Sequence, residues 1–377
     1  MTDKTFEGAR LFGLPHSYYT VIARSYLRMN QFGVSEVSSR HPDFAAKIYP
    51  QIKRGIIPVL ELPDGTVIQD SLDIIEAGEA LSPRFPALPE DAAMKSLAYL
   101  FFLYGSQALL KAAMHYRWTF YPDQKEFLDH AFGLDSDDLS SAKVMDKMRS
   151  YLPILGVTEQ SIPHIEASFI ALLKKLDAHF SIYPFILGQA PTLADYGMLG
   201  PLFAHLGRDP VPEAIMKREA PNVYRWTERM NAGAYDVPEY VQGAPDVSLE
   251  NMPETLHALI ELIGRDYSDE VSDRFDFMRQ WLLENNPDDG EQVSAKPSQR
   301  AIGVTEVRYG DGQVQVAVQP YILYIQRRLR LSVNSASEAS RGLITDLLNR
   351  HSLAILLEPQ LPCTVGRKDN IEIWEKV

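Results

Sequence analysis

The stretch GIIPVLELPDGTVIQDSLDII, residues 55–75, decides the reading of this chain. It holds two strand-like apolar runs around Pro63-Asp64-Gly65, and Asp-Gly between such runs is a hairpin signal. Pro58 heads the first run, although a proline cannot donate to a sheet ladder. As a cis-proline it would turn the chain sharply and expose its neighbours' backbone groups. Ile57 could then offer its N–H and C=O to an extended peptide, which is capture by strand addition. At Gln69-Asp70-Ser71 the second run gives way to a helix, whose first N–H groups and positive end suit a carboxylate. Asp70 could pair with an ammonium group and Ser71 could donate to the carboxylate. A peptide with a free α-amine and α-carboxylate fits this pattern. A helix cap at Asp70-Ser71 and a purely structural Pro58 fit the same residues.

Outward from this stretch, residues 9–81 read β-α-(β)-α-β-β-α. The stretch GLPHSYYTVIARSYLR (13–28) places four hydroxyls, from Ser17 to Thr20, at the start of the first helix. Residues 82–91 are rich in proline and polar groups and read as a linker. Helical patterns then dominate 92–118, 163–180, 192–206 and 221–232, and no strand pattern returns until near residue 304. Residues 119–162 hold aromatic residues, an acidic run at 135–138 and Pro153, and read as an insertion. Residues 250–285 look helical, 285–299 polar and flexible, and 303–319 alternate as a hairpin. Two helical stretches follow, the first, YILYIQRRLRL (321–331), apolar on one face and basic on the other. The expected boundaries are 1–84, 85–247 and 248–377.

The chain has 377 residues, more than one ordinary core holds. Its net charge of -13 disfavours nucleic acid as a general partner. Cys363 is the single cysteine, so neither an intramolecular disulfide nor a cysteine metal cluster is available. The histidines show no metal-ligand spacing, so no metal is expected. No signal-type leader and no uninterrupted apolar run of membrane length is read, and the expected location is the cytoplasm. Thr192 and Asp195 stand at capping-box spacing, which makes Asp195 a folding residue.

The motifs LPHSYYTVIAR (14–24), IIPVLE (56–61), IQDSLDII (68–75) and FILGQAPTLADYGMLGPLFAHL (185–206) resemble the glutathione transferase superfamily. The resemblance implies an α+β thioredoxin-like domain at 1–84 and an all-α domain at 85–247, followed by an atypical helical and hairpin extension. It also implies glutathione as co-substrate, a small apolar electrophile and a homodimer. Counting back seven positions from Arg24 matches Ser17 to the hydroxyl or thiol that in this superfamily touches the glutathione sulfur; Tyr19 is the competitor. A hydrogen-bond donor there favours thiolate over thiol. Ile57 and Pro58 would pair the cysteinyl backbone, Asp70 and Ser71 would hold the γ-glutamyl end, and Arg54 could attract the glycyl carboxylate. Tyr104, Met114 and Trp118 are candidates for an apolar wall, though plain helix packing is the preferred account of them. With no Cys-x-x-Cys pair, a thiol–disulfide oxidoreductase is a poor reading. Two functions remain: a glutathione-dependent transferase, or a non-catalytic binding or scaffold protein of the same fold.

Overall fold

A computed structural model describes residues 6–133, 139–357 and 361–377; the acidic run at 135–138 lies outside them. The chain opens with β1 (Arg10–Gly13), α1 (Tyr18–Met29) and β2 (Ser35–Ser38). A π-helical turn at Phe44–Ile48 runs into α2 (Tyr49–Ile52), then β3 (Val59–Glu61), β4 (Val67–Gln69) and α3 (Ser71–Glu79) follow. The strands form one sheet in the order β2-β1-β3-β4, with β1 parallel to β2 and antiparallel to β3. This is the expected β-α-(β)-α-β-β-α order, and the Asp-Gly turn joins β3 to β4 as a hairpin. Phe12, Val59 and Val67 cover one face with Ile48 and Ile52; Leu11 and Leu60 turn to the other, against α1 and α3.

A helical body follows: α4 (Ala92–Leu103), α5 (Leu110–Trp118), α6 (Lys125–Phe132), α7 (Leu139–Ser150), α8 (Ile162–Phe180), α9 (Leu193–Ala204), α10 (Pro210–Glu219) and α11 (Pro221–Asn231). The insertion at 119–162 supplies α6 and α7, which close a small core of Met114, Trp118, Leu128, Phe132 and Met145. The capping box forms at α9: Thr192 N–H donates to Asp195 Oδ2 at 2.9 Å. Asp195 also accepts from Ile186 N–H at 2.9 Å and from the Trp226 indole at 3.1 Å, so one buried carboxylate joins three segments. Between α4 and α5, residues Tyr104–Ala108 form a π-helical turn. Gly105 there lies so close to α9 that a Cβ would stand 2.5 Å from the Gly197 carbonyl oxygen. The run Ala92–Trp118, 27 residues, is long and apolar enough to cross a membrane by length and composition, although Lys95, Lys111 and Arg117 interrupt it. Of its most apolar window 83% is buried inside the fold, as in a core helix.

The extension comprises α12 (Glu254–Asn285), β5 (Gly303–Tyr309), β6 (Gly312–Val318), α13 (Tyr321–Ser335), α14 (Glu338–Arg350), β7 (Cys363–Lys368) and β8 (Ile371–Lys376). The β5–β6 hairpin matches the alternation at 303–319; the second hairpin, β7–β8, has no counterpart in the sequence reading. Helix α12 buries Leu256, Leu259, Ile260, Ile263, Phe275, Met278 and Leu282, one face at helical spacing. Between α5 and α12, Lys111 Nζ meets Glu270 at 2.5 Å, both buried, with Arg274 on the other carboxylate oxygen. Helix α13, the basic amphipathic stretch, packs on its own chain. Tyr324 donates to Asp73 at 2.6 Å and Arg328 Nη2 to Glu76 at 2.7 Å, tying α13 to α3. Its apolar residues join the same continuous core as α4 and α9.

Candidate functional site

A cleft of about 560 Å³ opens where the sheet domain, the helical body and the extension meet. Ser17, Tyr19, Ile57, Pro58, Asp70, Met114 and Trp118 line it, so seven of the ten expected site residues come together. Three stand elsewhere. Arg54 is 1% exposed and is bonded beneath the extension. Ser71 is buried in the first turn of α3. Tyr104 is buried and lines a separate, small cavity with Tyr267 and Asp266.

Ser17 caps α1, its Oγ accepting from Thr20 N–H at 3.3 Å. That bond uses a lone pair, so the Ser17 O–H remains free to donate into the cleft. The preceding loop is held from below. Arg117 forms a two-pronged pair with Asp209, Nε–Oδ2 at 2.7 Å and Nη2–Oδ1 at 2.8 Å, and donates to the His16 carbonyl at 3.2 Å. His205 Nε2 accepts from Arg117 at 2.8 Å while Nδ1–H donates to Ala113 O at 3.1 Å. Burial and then Arg117 hold His205 well below the ordinary histidine range, so the ring is neutral.

Of the other hydroxyls at this helix start, Thr20 Oγ1 is buried without a partner among the described residues and the two phenols are already used. Tyr18 donates to the Gly105 carbonyl and Tyr19 to the Ser106 carbonyl, the latter at 3.2 Å. Both carbonyls belong to the π-helical turn, whose widened ladder exposes oxygens that an α-helix would occupy. Burial pushes the Tyr19 phenol up to about 12, against the lowering effect of Arg300. His16, adjacent to Ser17, is buried and pushed down to about 3 by desolvation and by Arg117, Arg208 and Arg40.

Across the cleft the Ile57–Pro58 peptide is cis. Neither the N–H nor the C=O of Ile57 is bonded among the described residues. Asp70 caps α3 with φ of 101°, a backbone region disfavoured for residues with a Cβ. Its Oδ1 accepts from Leu72 N–H at 2.9 Å and from Tyr321 O–H at 2.7 Å; Oδ2 faces Arg367 at 3.8 Å. The apolar half is walled by Leu110, Met114 and Trp118 of α5, Phe132 of α6, and Val144 and Met148 of α7.

The extension forms part of the wall through Arg300 and Tyr321, and fastens the rest from outside. Glu372 of β8 receives Arg54 at 2.6 Å, Arg367 at 3.0 Å and Arg300 at 3.3 Å. Burial alone would raise the Glu372 carboxyl, but these three guanidinium groups hold it well below the usual carboxylate range. Gln69 Oε1 accepts from Arg54 and Arg367, each at 2.8 Å. Asn370 takes Gln69 N–H at 2.9 Å and returns a bond to the Val67 carbonyl at 3.1 Å. Arg300 and Tyr321 were not foreseen: Arg300 adjoins the stretch read as flexible, and nothing local to either marks a ligand site. Among the described residues no group of three His, Cys, Asp or Glu side chains could hold a metal ion.

A family model described as "Glutathione S-transferase, C-terminal domain" matches residues 157–233. No curated protein matches the chain. Similar solved structures include FzlA from C. crescentus, at 15% identity over 59% of this chain and 87% of that chain, TM-score 0.39. Another is a glutathione S-transferase from Rhodospirillum rubrum F11, at 15% identity over 67% and 98%, TM-score 0.42. A third, from Methylobacillus flagellatus KT and solved with GSH bound, has 18% identity over 63% and 100%, TM-score 0.35. Residues 157–233 thus match the glutathione S-transferase C-terminal domain, behind a small mixed-sheet N-terminal domain and ahead of a C-terminal extension of helices and hairpins.

Proposed function

We propose that the chain is a glutathione-dependent transferase that presents an activated thiolate to an apolar electrophile. The observation that carries this reading is the Ser17 hydroxyl, free to donate and placed at the start of α1 in the cleft that also holds the unbonded backbone of Ile57. The residues fit the co-substrate. Ile57 N–H and C=O suit a peptide backbone laid antiparallel to them. Asp70 Oδ2 keeps capacity for an ammonium group, since Oδ1 carries the bonds from Leu72 and Tyr321 and Arg367 approaches Oδ2 only to 3.8 Å. Glutathione supplies the nucleophilic sulfur. Ser17 donates to that sulfur and, with the positive end of α1, lowers the cost of deprotonating it. Met114, Trp118 and Phe132 exclude water and give an apolar electrophile its surface. Arg54, sealed under the extension, has no part in holding the glycyl carboxylate. Homodimerisation and a cytoplasmic location accompany the reading as expectations of the resemblance.

Retention of the full chain on immobilised glutathione, followed by an ultraviolet thiolate titration of the complex, tests the reading. The bound thiol should ionise at lower pH than free glutathione. No retention refutes it. A bound thiol with an unshifted pKa selects the second reading, a non-catalytic binding protein. One observation favours that alternative: Gln69 and Asp70, at the ligand end of the sheet, are already bonded to the extension.

A further inference from the structure

The extension adds a third guanidinium to the cleft, beside Arg40 and Arg117, which are bonded to Ser141 and Asp209. Arg300 lines the cleft, and its side chain is 26% exposed. Among the described residues its guanidinium has one polar contact, Nη2 to Glu372 at 3.3 Å, where Glu372 is held more closely by Arg54 and Arg367. Its Cζ lies over the Tyr321 ring, 4.9 Å from the centroid, a contact that uses none of its donors. The hydroxyl of that same Tyr321 binds Asp70 Oδ1. Arg300 and Asp70 therefore flank one ring at one end of the cleft, and both act electrostatically on Tyr19. A carboxylate acceptor at the hydroxyl of one aromatic ring and a guanidinium donor over its face match the two charges of an α-amino-acid head group.

We propose that Arg300 binds the α-carboxylate of a ligand's α-amino-acid head while Asp70 Oδ2 takes its ammonium, so that the extension completes the head-group subsite. This rests on the glutathione reading, with the γ-glutamyl end as the head group. Arg300 is a binding residue here and takes no part in bond making.

Calorimetric titration of the full-length chain tests it, with wild type, Arg300→Gln and Arg300→Lys each titrated with glutathione and with glutathione amidated at the γ-glutamyl α-carboxylate. Arg300→Gln should weaken glutathione binding about 10- to 100-fold, the range of a lost charge-assisted bond. Arg300→Lys should recover part of that. Amidation should weaken wild type by a similar factor and leave Arg300→Gln almost unaffected, because both changes remove the same contact. Wild type and Arg300→Gln binding glutathione equally would overturn this inference alone. So would amidation costing both chains the same factor, which would reduce Arg300 to a support for Glu372. A wild-type chain that binds no glutathione overturns both the inference and the reading beneath it.

Discussion

Helices α1 and α3 both start at the cleft, and both are capped by the side chain just before them, yet the two caps are used differently. Ser17 accepts one backbone bond in an extended conformation and keeps its hydrogen. Asp70 sits at positive φ, has one oxygen filled twice, and is fastened to the extension through Tyr321 and Arg367. A helix start offers chemistry only as far as its cap has bonding capacity left. The α1 start is thus open to a reacting atom. The α3 start is a joint, its capacity largely taken by Tyr321 of α13 and Arg367 of β7.

The largest expected effect breaks the fastened side. Glu372→Ala leaves Arg54, Arg367 and Arg300 without their common carboxylate, and should cost about 3–5 kcal/mol in urea unfolding at neutral pH. Because the folded-state pKa of Glu372 is depressed, its contribution is complete above the unfolded carboxylate value and is lost as pH falls through the folded one. The gap between wild type and Glu372→Gln should therefore be widest near neutrality and narrow in acid.

The open side should respond in rate instead. Ser17→Ala should lower turnover with glutathione roughly 10- to 100-fold, the worth of a hydrogen bond to a charged atom. The thiolate titration should move to higher pH, while stability falls by about 1 kcal/mol for the lost cap. An unchanged rate would remove Ser17 from the mechanism. Tyr19→Phe should change turnover by less than about threefold, since its hydroxyl already donates to the Ser106 carbonyl. A larger loss would exchange the two roles. Smallest of all, His16→Gln should leave the shape of the rate–pH profile between pH 5 and 8 as in wild type, because the ring is neutral there. An unfolded histidine charges below about 6.5 and the buried one does not until about 3, so His16 erodes stability as pH falls; the variant should resist acid slightly better.

The sheet, its hairpin and the capping box were legible because each is written in local sequence: period-two runs, Asp64-Gly65, and Thr192 three residues before Asp195. The order β1 to α3 and the β5–β6 hairpin came from the same signals. The joint was not legible. Arg54 and Glu372 are 318 residues apart, and isolated charges in a polar context read as solvated. Hairpin β7–β8 has short runs interrupted by Arg367 and Lys368, side chains that an isolated hairpin would give to water. Tyr104 failed as a wall residue because the π-helical turn rotates α5 relative to α4, so one continuous helical pattern faces two directions. Met114 and Trp118, beyond the turn, face the cleft.

The amide of Asn370 also decides how the sheet meets other chains. Strand β4 ends the sheet on one side, and Asn370 occupies its Gln69 N–H and Val67 carbonyl as a neighbouring strand would. The opposite edge, β2, is four residues long and carries Glu36, paired with Arg24 and Arg28. Short charged edges and covered ones resist edge-to-edge association. A chain shortened before the last hairpin would expose one such edge, and its first symptom would be concentration-dependent aggregation of an otherwise folded sheet.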